Sequence, residues 1–423
     1  MKILVLNSGS SSQKSSLYDF GGAPPQDPAE PLWEGTIEWG ADEAGIQVRT
    51  SRGAEVQQRV GATSRNRAIG QLLDTLWTGD ARVISGPAEV NAVGHRVVHG
   101  GAKYREPVVV TAEVKSAIAR LAVFAPLHNR AELEGMDLIA ERFGSVPQVA
   151  VFDTAFHSQM PEAAFVYPGP YDWLEQGIRR YGFHGINHQY CSERAAQLLG
   201  KSLDSLRLVT CHLGNGCSLA AVRGGHSVDT TMGFTPLEGL MMGTRSGSVD
   251  PGILTYLASA RGVSAQNLDE MLNTKSGLLG VSGISEDMRA IEEAVRQGNR
   301  RAKLAFDIFI HRLQSGIGAM IAVLGGIDAL VFSAGIGEHS AEVRSAACAN
   351  FGYMGLRLDA AKNEQVSPDA EISSADSSVR VFVIRAQEDW AIARQCATLL
   401  TGRPSAGSGG PTADEREKPA AEK

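Results

Sequence analysis

Residues 1–17 read MKILVLNSGSSSQKSSL: a short apolar run (Ile3–Leu6), a crowd of Ser and Gly, and a lysine. A Gly/Ser turn directly after a strand, with a basic residue inside it, suggests phosphate. The Walker pattern would need glycine, four residues, glycine, lysine, then Ser or Thr, so that backbone N–H groups and the lysine cradle phosphates at a helix start. Lys14 comes one residue too early after Gly9, and Gln13 precedes it in place of glycine. The next residues, SSLYDF and then Gly21-Gly22, read as a second strand and a turn, not a helix. The stretch is a strand–turn–strand hairpin, which turns the search toward folds that bind phosphate that way.

The same form returns halfway along. RLVTCHLGNGCSLAAVRGG (207–225) is again an apolar strand, a glycine-rich turn, a second strand and Gly-Gly, with His212 standing opposite Asn7. Few identities link the two stretches, but the shared pattern predicts a duplicated domain with one phosphate hairpin from each copy facing a central cleft. A third motif, ALVFSAGIGEHSAEVRSAA (329–347), runs a buried strand into Gly335-Ile336-Gly337-Glu338, with His339 or Ser340 opening a helix. A dinucleotide fingerprint would need a third glycine where Ser340 stands. Beside two phosphate hairpins, the motif fits a seat for the nucleoside end of ATP.

Bulk properties agree with an ordinary soluble α/β protein. A chain of 423 residues exceeds what one core usually supports, so two domains are expected. Net charge is −7, which gives no nucleic-acid footprint and requires any anionic substrate to be met by locally placed Arg and Lys. The five cysteines (Cys191, Cys211, Cys217, Cys348, Cys396) form no CxxC pair and read as reduced thiols in the cytoplasm. Ile3–Leu6 is too short for a signal-peptide core, and MIAVLGGIDALVF (320–332) is broken by Gly-Gly and Asp328, so no membrane span is expected.

Strands (ILVLN, LWEGTIEW, AVGHRVVHG) mix with helical patterns in the first half. Thr111 caps a helix reaching Phe124, Pro126 stops it, and Asn129 is placed to cap the next, with Leu133, Met136, Ile139 and Phe143 on one face. PQVAVFDTAFH (147–157) is a strand ending at Asp153. DWAIARQCATLL (389–400) is helical, and residues 401–423, rich in Gly, Pro, Ala and charge, are expected to be a disordered tail.

The motifs NSGSSSQK (7–14), GHRVVHGG (94–101), APLHN (125–129), VFDTAFH (151–157), RRYGFHG (179–185), CHLGNGCS (211–218), MMGTRSGSVDP (241–251), SEDMR (285–289) and SAGIGE (333–338) resemble the acetate kinase family, in order and over roughly residues 1–400. The resemblance implies two duplicated actin-like, ribonuclease-H-like domains with a nucleotide cleft between them. The expected units are an N-terminal domain, 1–152, completed by helix 389–400, and a C-terminal nucleotide-binding domain, 153–388. It further implies a homodimer and reversible phosphoryl transfer from ATP to acetate, giving acetyl phosphate and ADP, with magnesium (or manganese) as the metal.

Such a transfer brings two anions together, so positioning and electrostatic stabilisation carry the catalysis. An acceptor that is already a carboxylate needs no general base. Asp153, at a strand end, is therefore expected to hold or orient the metal, with Asn7 and Glu388 completing the metal shell. By resemblance Arg96 holds the acetate carboxylate, while Arg245 and His184 stabilise the transferring phosphoryl group. Arginine's planar donors suit carboxylate and phosphate oxygens. Ser10 and Ser12 are expected near phosphate or metal-bound water. The nucleotide side falls on Lys14, His212, Leu213, Gly214, Asn215, Gly216, Asp287, Met288, Arg289, Gly335, Ile336, Gly337, Glu338 and His339. The acyl pocket falls on Val98, Leu127, Phe183 and Pro236.

Three departures from the family pattern stand out: Ser248 replaces an acidic residue, Ala386-Gln387-Glu388-Asp389 replaces Thr-Asn-Glu-Glu, and Arg130 replaces a proline. The nearest competing reading is a sister acyl kinase preferring propionate or butyrate. A more distant one is a non-acyl ATPase, against which the Arg96, Arg245 and His184 set argues, because hydrolysis by water needs no acyl-carboxylate clamp.

Overall fold

β1 (Lys2–Ser8) and β2 (Ser12–Asp19) pair antiparallel, with Asn7 opposite Lys14 and Ser8 opposite Gln13. The hairpin closes through the Gly9 N–H donating to Ser12 O at 2.8 Å and the Ser8 hydroxyl donating to Gln13 Oε1 at 2.6 Å. Gln13, where a P-loop has glycine, is fully buried and locks the turn. The computed structural model describes residues 1–402 except 10–11, 23, 41–42, 62–64 and 123–125, and not the side chains of 126–128. Ser10, the Leu127 side chain and the tail from residue 403 therefore lie outside the described residues.

The antiparallel meander continues through β3 (Trp33–Trp39), β4 (Glu43–Thr50) and β5 (Glu55–Gly61). On its other side β1 pairs parallel with β6 (Ala92–Val97), which is followed by β7 (Val108–Val109) and β8 (Gln148–Phe152). The sheet order is β5-β4-β3-β2-β1-β6-β8-β7. The second sheet contains β9 (Arg207–Leu213), β10 (Cys217–Arg223), β11 (His226–Thr230), β12 (Ala329–Ser333), β13 (Ala370–Glu371) and β14 (Arg380–Val383), in the order β11-β10-β9-β12-β14-β13.

The two sheets share a topology. In each, a central strand pairs antiparallel with the next strand and parallel with a later one: β2-β1-β6-β8 in the first, β10-β9-β12-β14 in the second. β1 and β9 occupy the same place, and so do their hairpin turns. The fold is α/β, with two actin-like halves.

Between the sheets lies an apolar layer drawn from both. Ile3, Val5 and Val151 of the first meet Leu208, Val331 and Phe382 of the second, around the helices Gly185–Leu199 and Glu388–Thr401. The C-terminal helix reaches back to the first sheet closely enough that a Cβ on Gly94 would stand 2.7 Å from Cys396 Sγ and from Ile392. That approach requires glycine in β6. Beneath the second sheet runs the helix Arg300–Leu324, capped by Asn299 and long and apolar enough by composition to cross a membrane. Here its Ala305, Phe309, Leu313 and Ile317 face belongs to the core.

Local expectations met mixed outcomes. Thr111 does cap a helix, accepting from Val114 N–H at 3.2 Å, but that helix ends at Leu121. Asn129 is not a cap. The next helix, Pro126–Phe143, begins at the proline, whose missing N–H is no loss in a first turn. Asn129 sits a turn inside, buried, donating to Ile118 O at 3.2 Å and His99 O at 3.4 Å. All five cysteines are free and buried. The G-x-G motif after β12 is itself a short helix, Ala334–His339, and Ser340 caps the following one by accepting from Val343 N–H at 3.0 Å.

Candidate functional site

The C-terminal ends of the central strands bring the sequence-picked residues to one cleft of about 980 Å³, whose walls include Asn7, Lys14, Arg96, His184, His212 and Glu388. Arg96, on β6, and Asp153, just past β8, come from adjacent parallel strands. Arg96 Nη2 donates to Asp153 Oδ2 at 2.5 Å, and its Nε stands 4.0 Å from Glu388 Oε2. Burial alone would lower the guanidinium's pKa, but Asp153, Glu388 and Glu132 together raise it, so the charge is fixed. Burial pushes the Asp153 carboxyl up, and Arg96 pulls it back down.

Asp153 Oδ1 is buried and has no hydrogen-bond partner among the described residues. That orphaned oxygen, with Glu388 close by, supplies the hard oxygen donors that a divalent cation such as magnesium takes. Among the described residues no group of three or more His, Cys, Asp or Glu is arranged for a metal, so further ligands would have to come from water or substrate. Asn7 touches Glu388, but through its amide nitrogen. Nδ2 donates to Glu388 Oε2 at 3.2 Å and to Asp389 Oδ1 at 2.8 Å, while Ser16 holds the other Asp389 oxygen at 2.7 Å. Asn7 in this geometry orients the two carboxylates that open the C-terminal helix. Lys14, opposite Asn7 on the exposed face of β2, adds positive potential to the same carboxylates.

Across the cleft, His184 opens the helix Gly185–Leu199 in the left-handed region (φ 57°), a conformation rare outside glycine. The next residue must be glycine, because a Cβ there would lie 2.2 Å from Asp153 O, which instead accepts from Gly185 N–H at 2.9 Å. The His184 ring stacks on His212 at 3.9 Å, and its Nδ1 stands 2.9 Å from Ser218 Oγ. Burial holds His184 neutral, well below the usual histidine range, and puts His212 at about 4. Arg245 joins them at the second hairpin. A Cβ on Gly216 would stand 3.4 Å from the His184 ring and 3.6 Å from Arg245 Nη1. Arg245 donates to Pro236 O at 3.4 Å and has no carboxylate within ion-pair distance among the described residues. Burial lowers its pKa from an ordinary arginine's, so the site holds a guanidinium ready for an anion.

A second cavity of about 700 Å³ adjoins the first, sharing Gly335 and His339, and is lined by Gly214, Asn215, Asp287, Met288, Arg289 and Ile336. Asp287 caps the helix Met288–Arg296 and pairs with Arg289 at 2.6 Å. Leu213 points its side chain into the core, leaving only its backbone for a ligand. Gly337 packs near Phe332, and its carbonyl accepts from the buried Arg344 at 3.0 Å. Glu338 is mostly buried; its Oε1 accepts from Ala334 N–H at 3.0 Å and Ala386 N–H at 2.8 Å, tying this loop to the one that carries Glu388. Val98 and Phe183 share one apolar cluster.

Of the departures, Ser248 accepts from Gly239 N–H at 3.0 Å, latching the Arg245 loop. Ala386 contributes only its backbone, and Arg130 is exposed, 3.6 Å from Glu134. Sequence reading missed Glu132, a fully buried carboxyl that accepts from Val98 N–H at 3.0 Å beneath Arg96. It also missed Asn187, His188 and Ser218, which surround the two stacked histidines. Ser218 stands one residue past the glycine turn and its Cys217, and His188 one helical turn after His184; these spacings were the available signal.

Residues 2–394 match the model of the Acetokinase family. The acetate kinase of Cyanothece sp. (strain PCC 7425 / ATCC 29141) is 60% identical over 402 residues, covering 95% of this chain and 98% of that protein. That of Gloeobacter violaceus is 59% identical over 400 residues, 94% and 98% of the two chains. Among solved structures, Porphyromonas gingivalis acetate kinase superposes with a TM-score of 0.87 at 40% identity, covering 94% of this chain and 99% of that one. A propionate kinase from Francisella tularensis gives 0.85 at 37% identity, covering 93% and 98%. The two hairpins, the arginines and histidines gathered beside them and these full-length matches agree: the chain belongs to the acetokinase family.

Proposed function

We propose that the protein catalyses reversible transfer of the γ-phosphoryl group of ATP to acetate, giving acetyl phosphate and ADP, by direct in-line displacement. The observation that carries this reading is the pair of guanidinium groups whose charges both bear on His184: Arg96, buried beside Asp153, and Arg245, beside His184 at Gly216 and free of any carboxylate partner among the described residues. An acceptor carboxylate meets the Arg96 side and the polyphosphate meets the second hairpin, where the glycines let backbone N–H groups approach phosphate oxygens. Arg245 and the His184 ring edge donate to the oxygens on which charge develops. His184, being neutral, supplies an N–H donor and takes no proton. Adenosine occupies the 700 Å³ cavity between Asp287–Arg289 and Gly335–His339. Asp153 and Glu388 would hold magnesium, which when bound neutralises charge on the phosphate oxygens.

Val98, Phe183, Pro236 and Leu127 are read as a small pocket for the acyl methyl. One methylene in such a pocket is worth only about 1–3 kcal/mol, so propionate should be a poorer but real substrate. We take the units as 1–152 with the C-terminal helix, and 153–388. A homodimer is supported by the helices Pro251–Arg261 and Ala265–Thr274, which bury no residue although Ile253, Tyr256 and Met271 lie on them. The five buried free thiols accord with a reducing cytoplasm.

The test supplies ATP, magnesium and hydroxylamine with acetate, propionate or butyrate and measures acyl hydroxamate. Acetate should give the largest kcat/KM. No hydroxamate from any acid would sink the acyl-kinase reading, and a larger value for propionate would change the substrate while keeping the mechanism.

A further inference from the structure

Behind His184 runs an unbroken buried hydrogen-bond chain that the proposed reaction does not by itself use. His184 Nδ1 is 2.9 Å from Ser218 Oγ, the same hydroxyl is 2.7 Å from His188 Nε2, and His188 Nδ1 is 2.7 Å from Thr210 Oγ1. His188, Ser218 and Thr210 are at most 1% exposed. Burial keeps both imidazoles neutral, so each has one N–H donor and one bare nitrogen, and each hydroxyl has one proton. Ser218 could accept from both rings, but its own buried proton would then have no acceptor, at a cost of about 1–3 kcal/mol. The chain is therefore polarised in one of two ways: every proton points toward the cleft, or every proton points away from it.

The far end decides between them. Thr210 Oγ1 has no hydrogen-bond partner among the described residues other than His188 Nδ1. If the protons pointed away from the cleft, His188 Nδ1–H would donate to Thr210, and the threonine's own proton would be a buried donor with no acceptor. Such a group costs about 1–3 kcal/mol. If they point toward the cleft, every proton is used. Thr210 donates to His188 Nδ1, His188 Nε2–H to Ser218, and Ser218 O–H to His184 Nδ1. We propose that Thr210, His188 and Ser218 are positioning residues whose one-way hydrogen-bond chain fixes the His184 proton on Nε2, so that the ring meets the transferring group as a donor.

A second arm treats the stacked neighbour alike. Asn187 Nδ2 lies 2.9 Å from His212 Nδ1 and 3.2 Å from Ser333 Oγ, so His212 also keeps its proton on Nε2, beside the Gly214 turn. His157 steadies the backbone at this point. Its Nε2 lies 3.1 Å from Phe183 O and must donate to that carbonyl, while Ser227 Oγ stands 2.7 Å from its Nδ1. The charged groups facing His184 are Arg96 and Arg245, which oppose protonation of the ring. Two parallel N–H donors, each with its second nitrogen already used, line one wall of the cleft.

The inference rests on the reading of His184 as a donor to the phosphoryl group, but its test does not need turnover. Histidine ring 15N NMR on the ligand-free protein, with the His184 and His212 signals assigned by their loss in His184→Gln and His212→Gln, should show bare Nδ1 and protonated Nε2 for both. A His184 proton on Nδ1 would overturn the chain even in a fully active kinase. Conversely, the expected tautomer in a protein that makes no acyl phosphate would count against the proposed function alone. Thr210→Val, which keeps the shape and removes the proton source, should give a mixture of His184 tautomers. It should also lower kcat by about 10-fold, less than outright loss of a transition-state donor, with KM for ATP and acid within about twofold. Thr210→Ser, which keeps the hydroxyl, should restore a single tautomer. An unchanged His184 signal in Thr210→Val would refute the direction of the chain.

Discussion

Arg96, on one strand, and Asp153, at the end of its parallel neighbour, meet through Nη2 and Oδ2 at 2.5 Å, yet among the described residues Arg96 Nε and Asp153 Oδ1 have no hydrogen-bond partners. The pair neutralises itself and still leaves one donor and one acceptor in reserve. An acid substrate can take the donor and a cation the acceptor. The pair is thus both a scaffold and a divided binding site.

Arg96→Ala should raise KM for the acid far more than KM for ATP, because the lost donor faces only the acceptor. It should also cost about 3–5 kcal/mol of stability, since a buried carboxylate loses its counter-charge. Steady-state kinetics and urea unfolding measure the two effects. Equal rises in both KM values would remove Arg96 from the acid subsite.

Arg245 presents the opposite case. Among the described residues it has no carboxylate to strand, so Arg245→Ala should leave the unfolding midpoint nearly unchanged while kcat falls about 100- to 1000-fold, as for loss of one transition-state donor. Lysine should not restore the rate, lacking the planar donor fork. A large shift in the midpoint would mean that the arginine is structural.

Much of the site was legible because strand-end chemistry leaves marks in sequence. The glycine turns, Asp153 after an apolar run, and Arg96 between two histidines are local patterns, and the strand register then carries them to one cleft. The duplication was visible as pattern at the two hairpins, and the sheets repeat it through their four central strands, β2-β1-β6-β8 and β10-β9-β12-β14. What stayed hidden depends on distant pairings. Glu132 lies on a helix as an unremarkable polar residue until Val98 N–H and Arg96 close over it. Asn129 looks like a cap until Pro126 starts the helix earlier. Asn7 was expected as a metal ligand, but Asp389, 382 positions away, determines which end of its amide faces inward.

Glu338 links the nucleotide loop to the Glu388 loop by accepting from two backbone N–H groups, those of Ala334 and Ala386. Glu338→Ala orphans both donors, each worth about 1–3 kcal/mol. KM for ATP and the metal concentration for half-maximal rate should therefore rise together. Glu338→Gln keeps the acceptor and should stay close to the parent. Ala386→Thr should be nearly silent, because only its N–H is used. A rise in KM for ATP without a change in metal requirement would break the link.

Glu132 gives the protein a pH dependence with a definite sign. Burial, outweighing the Val98 N–H and the Arg96 charge, lifts its carboxyl from an ordinary 4.5 to about 8, and its Oε2 has no hydrogen-bond partner among the described residues. The folded protein therefore holds a proton that the unfolded chain gives up above pH 4.5. The stability tied to that proton is fully present below pH 4.5 and is lost as pH rises toward about 8. Glu132→Gln keeps an oxygen for Val98 N–H and has no proton to lose. Measured by urea unfolding, the variant should match the parent near pH 4.5 and gain on it as pH rises, by of order 1–3 kcal/mol at neutral pH. Parallel stability curves across that range would show that Glu132 is ionised in the fold and pairs with Arg96. In that case the variant should instead be the less stable protein at neutral pH, because it removes one of the carboxylates that hold the guanidinium charge.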